Sequence, residues 1–163
     1  MRYTQLGVIG ATLLYNPTKA DILNNITYQE FSKQCTKIEI KNNPELIQTY
    51  TKCTEDLRAF SVFKGVVNLY EASLSEQIRQ IKVGCLNLKN DQTFNSQDYH
   101  SLELQLSNEN ERAKIQYERL TRIIEIKFPK LLNINEYHGL KIETNELFGD
   151  TINFIDNFEC PYY

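Results

Sequence analysis

Between Asn43 and Leu88 the apolar residues recur at steps of three or four, the spacing of one face of an α-helix. The steps average about 3.5 residues, the heptad value. This apolar stripe comprises Leu46, Tyr50, Cys53, Leu57, Phe60, Phe63, Val67, Tyr70, Leu74, Ile78, Ile81, Cys85 and Leu88. Asn43 is a suitable N-cap, and Pro44 fits the first helical position. The pattern predicts one long helix, continuous or gently bent, that passes through Gly65.

A second apolar stripe runs from Leu102 to Phe128, after a polar turn in which Ser96 is predicted to cap the next helix. Pro129 ends this stripe, because a proline disfavours helical backbone at the residue before it and lacks an N–H donor itself. The connection between the two long helices is short. We therefore expect them to pack antiparallel.

Two shorter helices are predicted on either side of this hairpin. One extends from Ile22 to about Cys35, after a cap-like Asn16-Pro17 pair. The other extends from about Thr144 to Phe158, after an expected break at His138-Gly139. Together the four patterns predict an all-α fold, an antiparallel helical hairpin or bundle built on one long helix.

The length of 163 residues suits one domain, which we place at residues 19–163. A hydrophobic content of 41% is enough for a packed core. The net charge of −3 provides no basic field, so we expect no nucleic-acid partner.

Residues 1–18 form a separate short apolar segment, uncharged from Tyr3 to Thr18 and most apolar over Leu6–Tyr15. Three alternatives are open: a signal peptide, an uncleaved membrane anchor, or a buried segment of the folded domain. We favour membrane association through Leu6–Tyr15, in a compartment that the sequence does not define. Gly7 and Ala11 have the spacing that allows close helix packing in a membrane.

The four cysteines have no zinc-ribbon or thioredoxin-type spacing. Cys53 and Cys85 lie on the long stripe, where small buried apolar residues are expected. On one continuous helix they are ~48 Å apart, too far for a mutual disulfide. Cys35 and Cys160 lie near predicted helix ends. We expect that these two join in a disulfide if the compartment is oxidising.

The sequence has little that indicates catalysis. Its two histidines, His100 and His138, are 38 residues apart, and no phosphate-binding loop or His-Glu-x-x-His motif is present. Cys85 and His100 flank the same turn and are the most plausible Cys–His pair. We nevertheless predict a non-enzymatic protein with no catalytic residue, no metal site and no cofactor.

Several motifs, in order along the chain, resemble those of the LemA family. They are Tyr15-Asn16, Pro44-Glu-Leu46-Ile47, Leu88-Lys89 with Phe94, Leu102 and Leu106 with Asn110-Glu-Arg112, and Phe128-Pro129-Lys-Leu131-Leu132. The resemblance implies a membrane-anchored antiparallel helical bundle without carried-over catalytic residues. The family's Leu-Lys-Arg-Arg stretch and tryptophan are missing, and the chain after Leu132 has no counterpart.

The long helix has more apolar residues than a two-helix hairpin can cover. We predict a partner-docking surface on it, made of Phe60, Phe63, Val66, Leu69 and Tyr70. The first hypothesis is a non-enzymatic, membrane-associated accessory subunit that acts through protein–protein contacts in a larger assembly. The alternative is a soluble or exported binding module of the inhibitor or immunity type, held by a Cys35–Cys160 disulfide.

Overall fold

The computed structural model describes residues 26–38, 43–90 and 93–163. Four α-helices follow one another in this part of the chain: α1 (Tyr28–Thr36), α2 (Pro44–Asn90), α3 (Ser96–Lys127) and α4 (Asn135–Asn157). A 3-10 turn, Pro129–Asn133, connects α3 to α4. The all-α fold on one long helix is confirmed. The apolar segment of residues 1–18 and the Asn16-Pro17 cap lie outside the described residues.

Helix α2 has 47 residues, a length of about 70 Å. Asn43 caps it as predicted, since its Oδ1 accepts a 2.9 Å hydrogen bond from the backbone N–H of Glu45. The helix continues through Gly65 without a break. Every fully buried apolar residue of α2 belongs to the predicted stripe. A heptad-spaced face therefore forms one side of the core.

Helix α3 returns antiparallel along α2, and its second turn and the residue before its cap pack closely at Gly84. A Cβ atom on Gly84 would lie 2.8 Å from Leu102 Cδ1 and 3.2 Å from the Phe94 ring. The cap of α3 is Asn95, one residue before the predicted Ser96. Its Oδ1 accepts from two backbone N–H groups, and the carboxylate of Asp98 accepts from the N–H of Asn95. This reciprocal capping box satisfies N–H groups that the helix leaves unpaired.

Helix α3 ends at Phe128-Pro129, as predicted, but α4 begins at Asn135 rather than near Thr144. His138-Gly139 lies inside α4, so the expected break there is wrong. No side chain caps this start. Ile26 fixes it instead through a backbone bridge: its N–H donates to Asn133 O at 2.8 Å, and its carbonyl accepts from Asn135 N–H at 3.0 Å.

Helix α1 is also shorter than predicted. Because Ile26 lies in that extended bridge, the helix begins at Tyr28, with Thr27 as N-cap and Glu30 completing a capping box. Phe31 and Cys35 are its buried residues, and both face the core. The predicted start at Ile22 lies outside the described residues.

The core between α2, α3 and α4 is aromatic at its centre. The Phe63 ring lies 4.9 Å from that of Tyr137 and 6.0 Å from that of Tyr117. Phe148 packs edge-on against Tyr117 at 5.6 Å. Phe63 belongs to α2, Tyr117 to α3, and Tyr137 and Phe148 to α4, so these contacts join all three helices into one bundle.

Candidate functional site

Two disulfides fasten the ends of the bundle to α2. Cys35 of α1 is bonded to Cys53, and Cys160, beyond the end of α4, is bonded to Cys85. All four cysteines are therefore paired. The predicted Cys35–Cys160 disulfide is wrong. Cys53 and Cys85 are buried as predicted, but each is disulfide-bonded, which the prediction did not include. The heptad spacing does place both α2 cysteines on the core face, where Cys35 of α1 and Cys160 after α4 reach them.

The predicted docking residues do not share one surface. Phe60 and Phe63 are 3% and 0% exposed, so the protein's own core covers almost all of both side chains. Phe63 is inaccessible, and Phe60 contributes only a small area to a depression between α2 and α4. Tyr70 is half-buried, with its ring 6.2 Å from that of Phe148. Val66 is half-buried as well. Leu69, 68% exposed, is the most accessible of the five. The stripe mainly forms the core because α4 covers the area that a two-helix hairpin would leave open.

A groove runs along the bundle between α2 and α4. It consists of two adjoining depressions of about 360 and 320 Å³ that share Leu140 and Glu143. Its lining residues are Tyr28, Gln29, Phe60, Lys64, Val67, Asn68, Glu71, Glu136, Gly139, Leu140, Glu143, Thr144, Glu146, Leu147 and Asp150. We call this surface the α2–α4 groove. It is an open concave surface, of the kind that can hold a protein segment.

One end of the α2–α4 groove is closed by α1. The Tyr28 ring stacks on Phe60 with centroids 4.8 Å apart, and the backbone N–H of Tyr28 donates to Glu136 Oε2 at 2.9 Å. The Cys35–Cys53 disulfide holds the opposite end of α1 to α2. The groove wall is therefore fastened at both ends of α1.

The α2–α4 groove has an apolar floor and an acidic rim. Val67, Leu140 and Leu147 lie on the floor, and all three are buried or half-buried. Five carboxylates line the groove: Glu71, Glu136, Glu143, Glu146 and Asp150. Among the described lining residues, Lys64 is the single cation. The surface therefore carries a concentrated negative charge beside apolar area.

Asp56 is a buried carboxyl group on the core face of α2, between Cys53 and Phe60. It is 1% exposed, and within residues 26–38, 43–90 and 93–163 its Oδ2 has no hydrogen-bond partner. Desolvation raises the pKa of Asp56, and the positive charges of Lys130 and Lys52 oppose that rise only in part. Sequence reasoning missed this acid in the core, because Asp56 lies one residue before Leu57 of the apolar stripe and is not itself apolar.

Three buried tyrosines also have a raised pKa. Burial raises the pKa of Tyr99 and of Tyr117 to about 12, and it raises the pKa of Tyr137 further. The Tyr117 hydroxyl donates to Lys141 O at 3.3 Å. These phenols are neutral at physiological pH and act as packing groups of the core.

Each histidine contacts a residue close to it in sequence. His138 Nε2 lies 2.6 Å from Leu132 O, so this nitrogen donates to the carbonyl and the ring fastens the 3-10 turn to α4. His100 Nδ1 lies 3.4 Å from Glu103 Oε2 on the surface of α3. Cys85 is disulfide-bonded and has no thiol to form a nucleophilic pair with His100. Within the described residues, no group of His, Cys, Asp and Glu could hold a metal ion.

No helix among the described residues is both long enough and apolar enough to cross a membrane. The membrane association predicted for Leu6–Tyr15 concerns residues outside that part and stays a prediction.

In comparisons with known proteins, no family model, curated protein or solved structure matches this chain. The resemblance to the LemA family therefore stays a hypothesis.

Proposed function

We propose that this protein is a non-enzymatic helical binding module that is exported to an oxidising compartment and acts through protein–protein contact. The observation that carries the proposal is the pairing of all four cysteines in two disulfides. Stable structural disulfides are typical of secreted and extracytoplasmic proteins, because glutathione and thioredoxin keep cytosolic thiols reduced.

The positions of the disulfides suit a surface that works by binding. One fastens α1, which closes the α2–α4 groove, and the other fastens the chain beyond α4. Both bonds thus limit movement of elements beside α2 and α4. A surface that is rigid before binding loses less conformational freedom when a partner docks, so its affinity is higher.

The membrane-associated accessory subunit is the second candidate, and the apolar Leu6–Tyr15 segment favours it. Both candidates act through protein contacts. They differ in whether residues 1–18 anchor the chain. An anchored protein with its helical domain on the oxidising side would have the same two disulfides, so anchoring has to be tested separately.

Thiol counting tests the exported module. Protein isolated from its native cells, with free thiols alkylated at lysis, should contain no alkylated cysteine before reduction and four after it. Peptide mapping should recover Cys35 linked to Cys53 and Cys85 linked to Cys160. Four alkylated cysteines before reduction would place the protein in a reducing compartment and overturn the proposal.

Alkaline carbonate extraction then separates the two candidates. An exported module is released into the supernatant as the folded chain, whereas an anchored subunit stays in the membrane pellet. Crosslinking in intact cells, followed by identification of the linked proteins, tests the shared claim of protein contact. A protein that forms no specific crosslink would contradict both candidates.

A further inference from the structure

We infer that the α2–α4 groove binds a basic amphipathic helix of a partner protein. This inference rests on the proposed function and names the chemistry of the partner. Three features of the groove carry it: its length, its apolar floor and the charge along its rims.

The groove has the length and shape for a helix. From Glu136 to Asp150, α4 advances about 21 Å along it, at 1.5 Å per residue. A docked helix of about four turns would match this distance. The two depressions adjoin at Leu140 and Glu143, which line both of them. Leu140 and Leu147, two turns apart on the floor, match apolar anchors at spacings of three, four and seven residues.

The rims determine which helix fits. Glu143, Glu146 and Asp150 follow one another on α4 at steps of three and four, so they lie on one face. Glu71 lies on the α2 side. In the described part of the chain, no ion pair involves these four carboxylates; the ion pairs there join Arg79 to Glu76, His100 to Glu103 and Lys141 to Glu125.

A helix with an apolar stripe flanked by Lys or Arg complements both the floor and the rims. Complementary charge accelerates association and disfavours wrong partners. An acidic helix, a phosphate-rich nucleic acid or an anionic membrane surface would meet like charge. A second copy of this chain is disfavoured too, because it brings a net charge of −3.

Binding of a designed peptide tests the inference. The probe is a helical peptide of about 18 residues, built from Leu at core spacing and Lys at the other positions; its matched counterpart replaces each Lys with Glu. In amide chemical-shift titrations of the oxidised protein, the Lys peptide should shift residues 64–71 and 136–150. The Glu peptide should bind at least about tenfold more weakly than the Lys peptide, and added salt should weaken binding of the Lys peptide.

A charge-reversed groove supplies the second measurement. The variant Glu143→Lys/Glu146→Lys/Asp150→Lys should weaken binding of the Lys peptide about tenfold or more. The matched control, Glu111→Lys/Glu118→Lys/Asp156→Lys, changes the net charge by the same amount at exposed positions outside the groove. It should weaken binding about threefold or less, since only the long-range field changes. Helical circular dichroism confirms that each variant folds.

Several results would overturn the inference. They are peptide-induced shifts on another face, equal binding of the Lys and Glu peptides, or equal weakening by both triple variants. If the groove variant misfolds, the shift map and the comparison of peptides on the unaltered protein decide the matter. A crosslinked partner that the groove variant retains would refute the basic-helix inference alone, whereas four free thiols would refute the proposed function.

Discussion

Removal of the two disulfides one at a time should cost different amounts of stability, because the bonds close loops of different length. Cys35 and Cys53 are 18 residues apart, whereas Cys85 and Cys160 are 75 residues apart. Loop-closure entropy at 25 °C then corresponds to ~3.2 kcal/mol for the first bond and ~4.5 kcal/mol for the second. We expect Cys85→Ala/Cys160→Ala to lower the free energy of unfolding by ~1.3 kcal/mol more than Cys35→Ala/Cys53→Ala.

The assay is equilibrium urea unfolding of the oxidised variants, followed by far-UV circular dichroism. The slope is fitted separately for each variant, because loss of a cross-link exposes more surface in the unfolded chain. Alanine keeps the small apolar side chain at Cys35, Cys53 and Cys85, which are 1%, 5% and 4% exposed. Each double variant should also have no free thiol, because its remaining pair is intact.

Two outcomes would refute this reasoning. A larger loss on removal of the 18-residue bond would mean that local packing, rather than loop length, sets the stabilisation. Two free thiols in Cys35→Ala/Cys53→Ala would mean that Cys85 and Cys160 are not partners.

Four further predictions concern single residues of α2 and α3. Asp56→Asn should stabilise the protein at pH 7 by about 1–3 kcal/mol, because a buried carboxylate with an unsatisfied oxygen is costly. Because the pKa of Asp56 is raised in the folded state, the unaltered protein gains stability as the pH falls from that pKa towards the pKa of the unfolded chain. Urea unfolding across pH should therefore show a weaker pH dependence of stability for the Asn variant. An identical pH dependence would contradict the raised pKa of Asp56. Gly65→Ala should stabilise α2 by about 0.5–1 kcal/mol, since nothing lies within 4 Å of the added Cβ. Gly84→Leu should destabilise the protein by about 1–3 kcal/mol, because the added Cβ alone would lie 2.8 Å from Leu102 Cδ1. Thermal unfolding compares the Gly65 and Gly84 variants, and equal changes in their unfolding temperatures would refute the close packing at Gly84. Because burial raises the pKa of Tyr117 to about 12, stability should fall as the pH rises from about 10, where the unfolded phenol ionises, to about 12. Tyr117→Phe should reduce this alkaline loss in urea unfolding at pH 9 to 12, and an unchanged loss would exclude Tyr117 as its source.

Local spacing alone was enough to predict the hairpin of α2 and α3. Asn43 and Pro44 define the start of α2, and Phe128-Pro129 defines the end of α3, because caps and prolines act within one helical turn. The apolar stripe identified the buried face of α2 for the same reason: helical periodicity brings residues three and four apart onto one side. These features need no knowledge of the rest of the chain.

The partners of each face were decided only in the tertiary structure. Helix α4 starts at Asn135 because Ile26, more than a hundred residues earlier, bridges to the backbone beside it. Phe63 is a core residue rather than part of a docking surface, and Phe60 is almost wholly covered, because α1 and α4 pack on them. The cysteines pair according to which parts of α1, α2 and the chain after α4 meet. The α2–α4 groove forms where α2 and α4 pack side by side, and this packing brings carboxylates of both helices together. Sequence periodicity shows which side of a helix is buried; which element buries it depends on contacts between residues far apart in the chain.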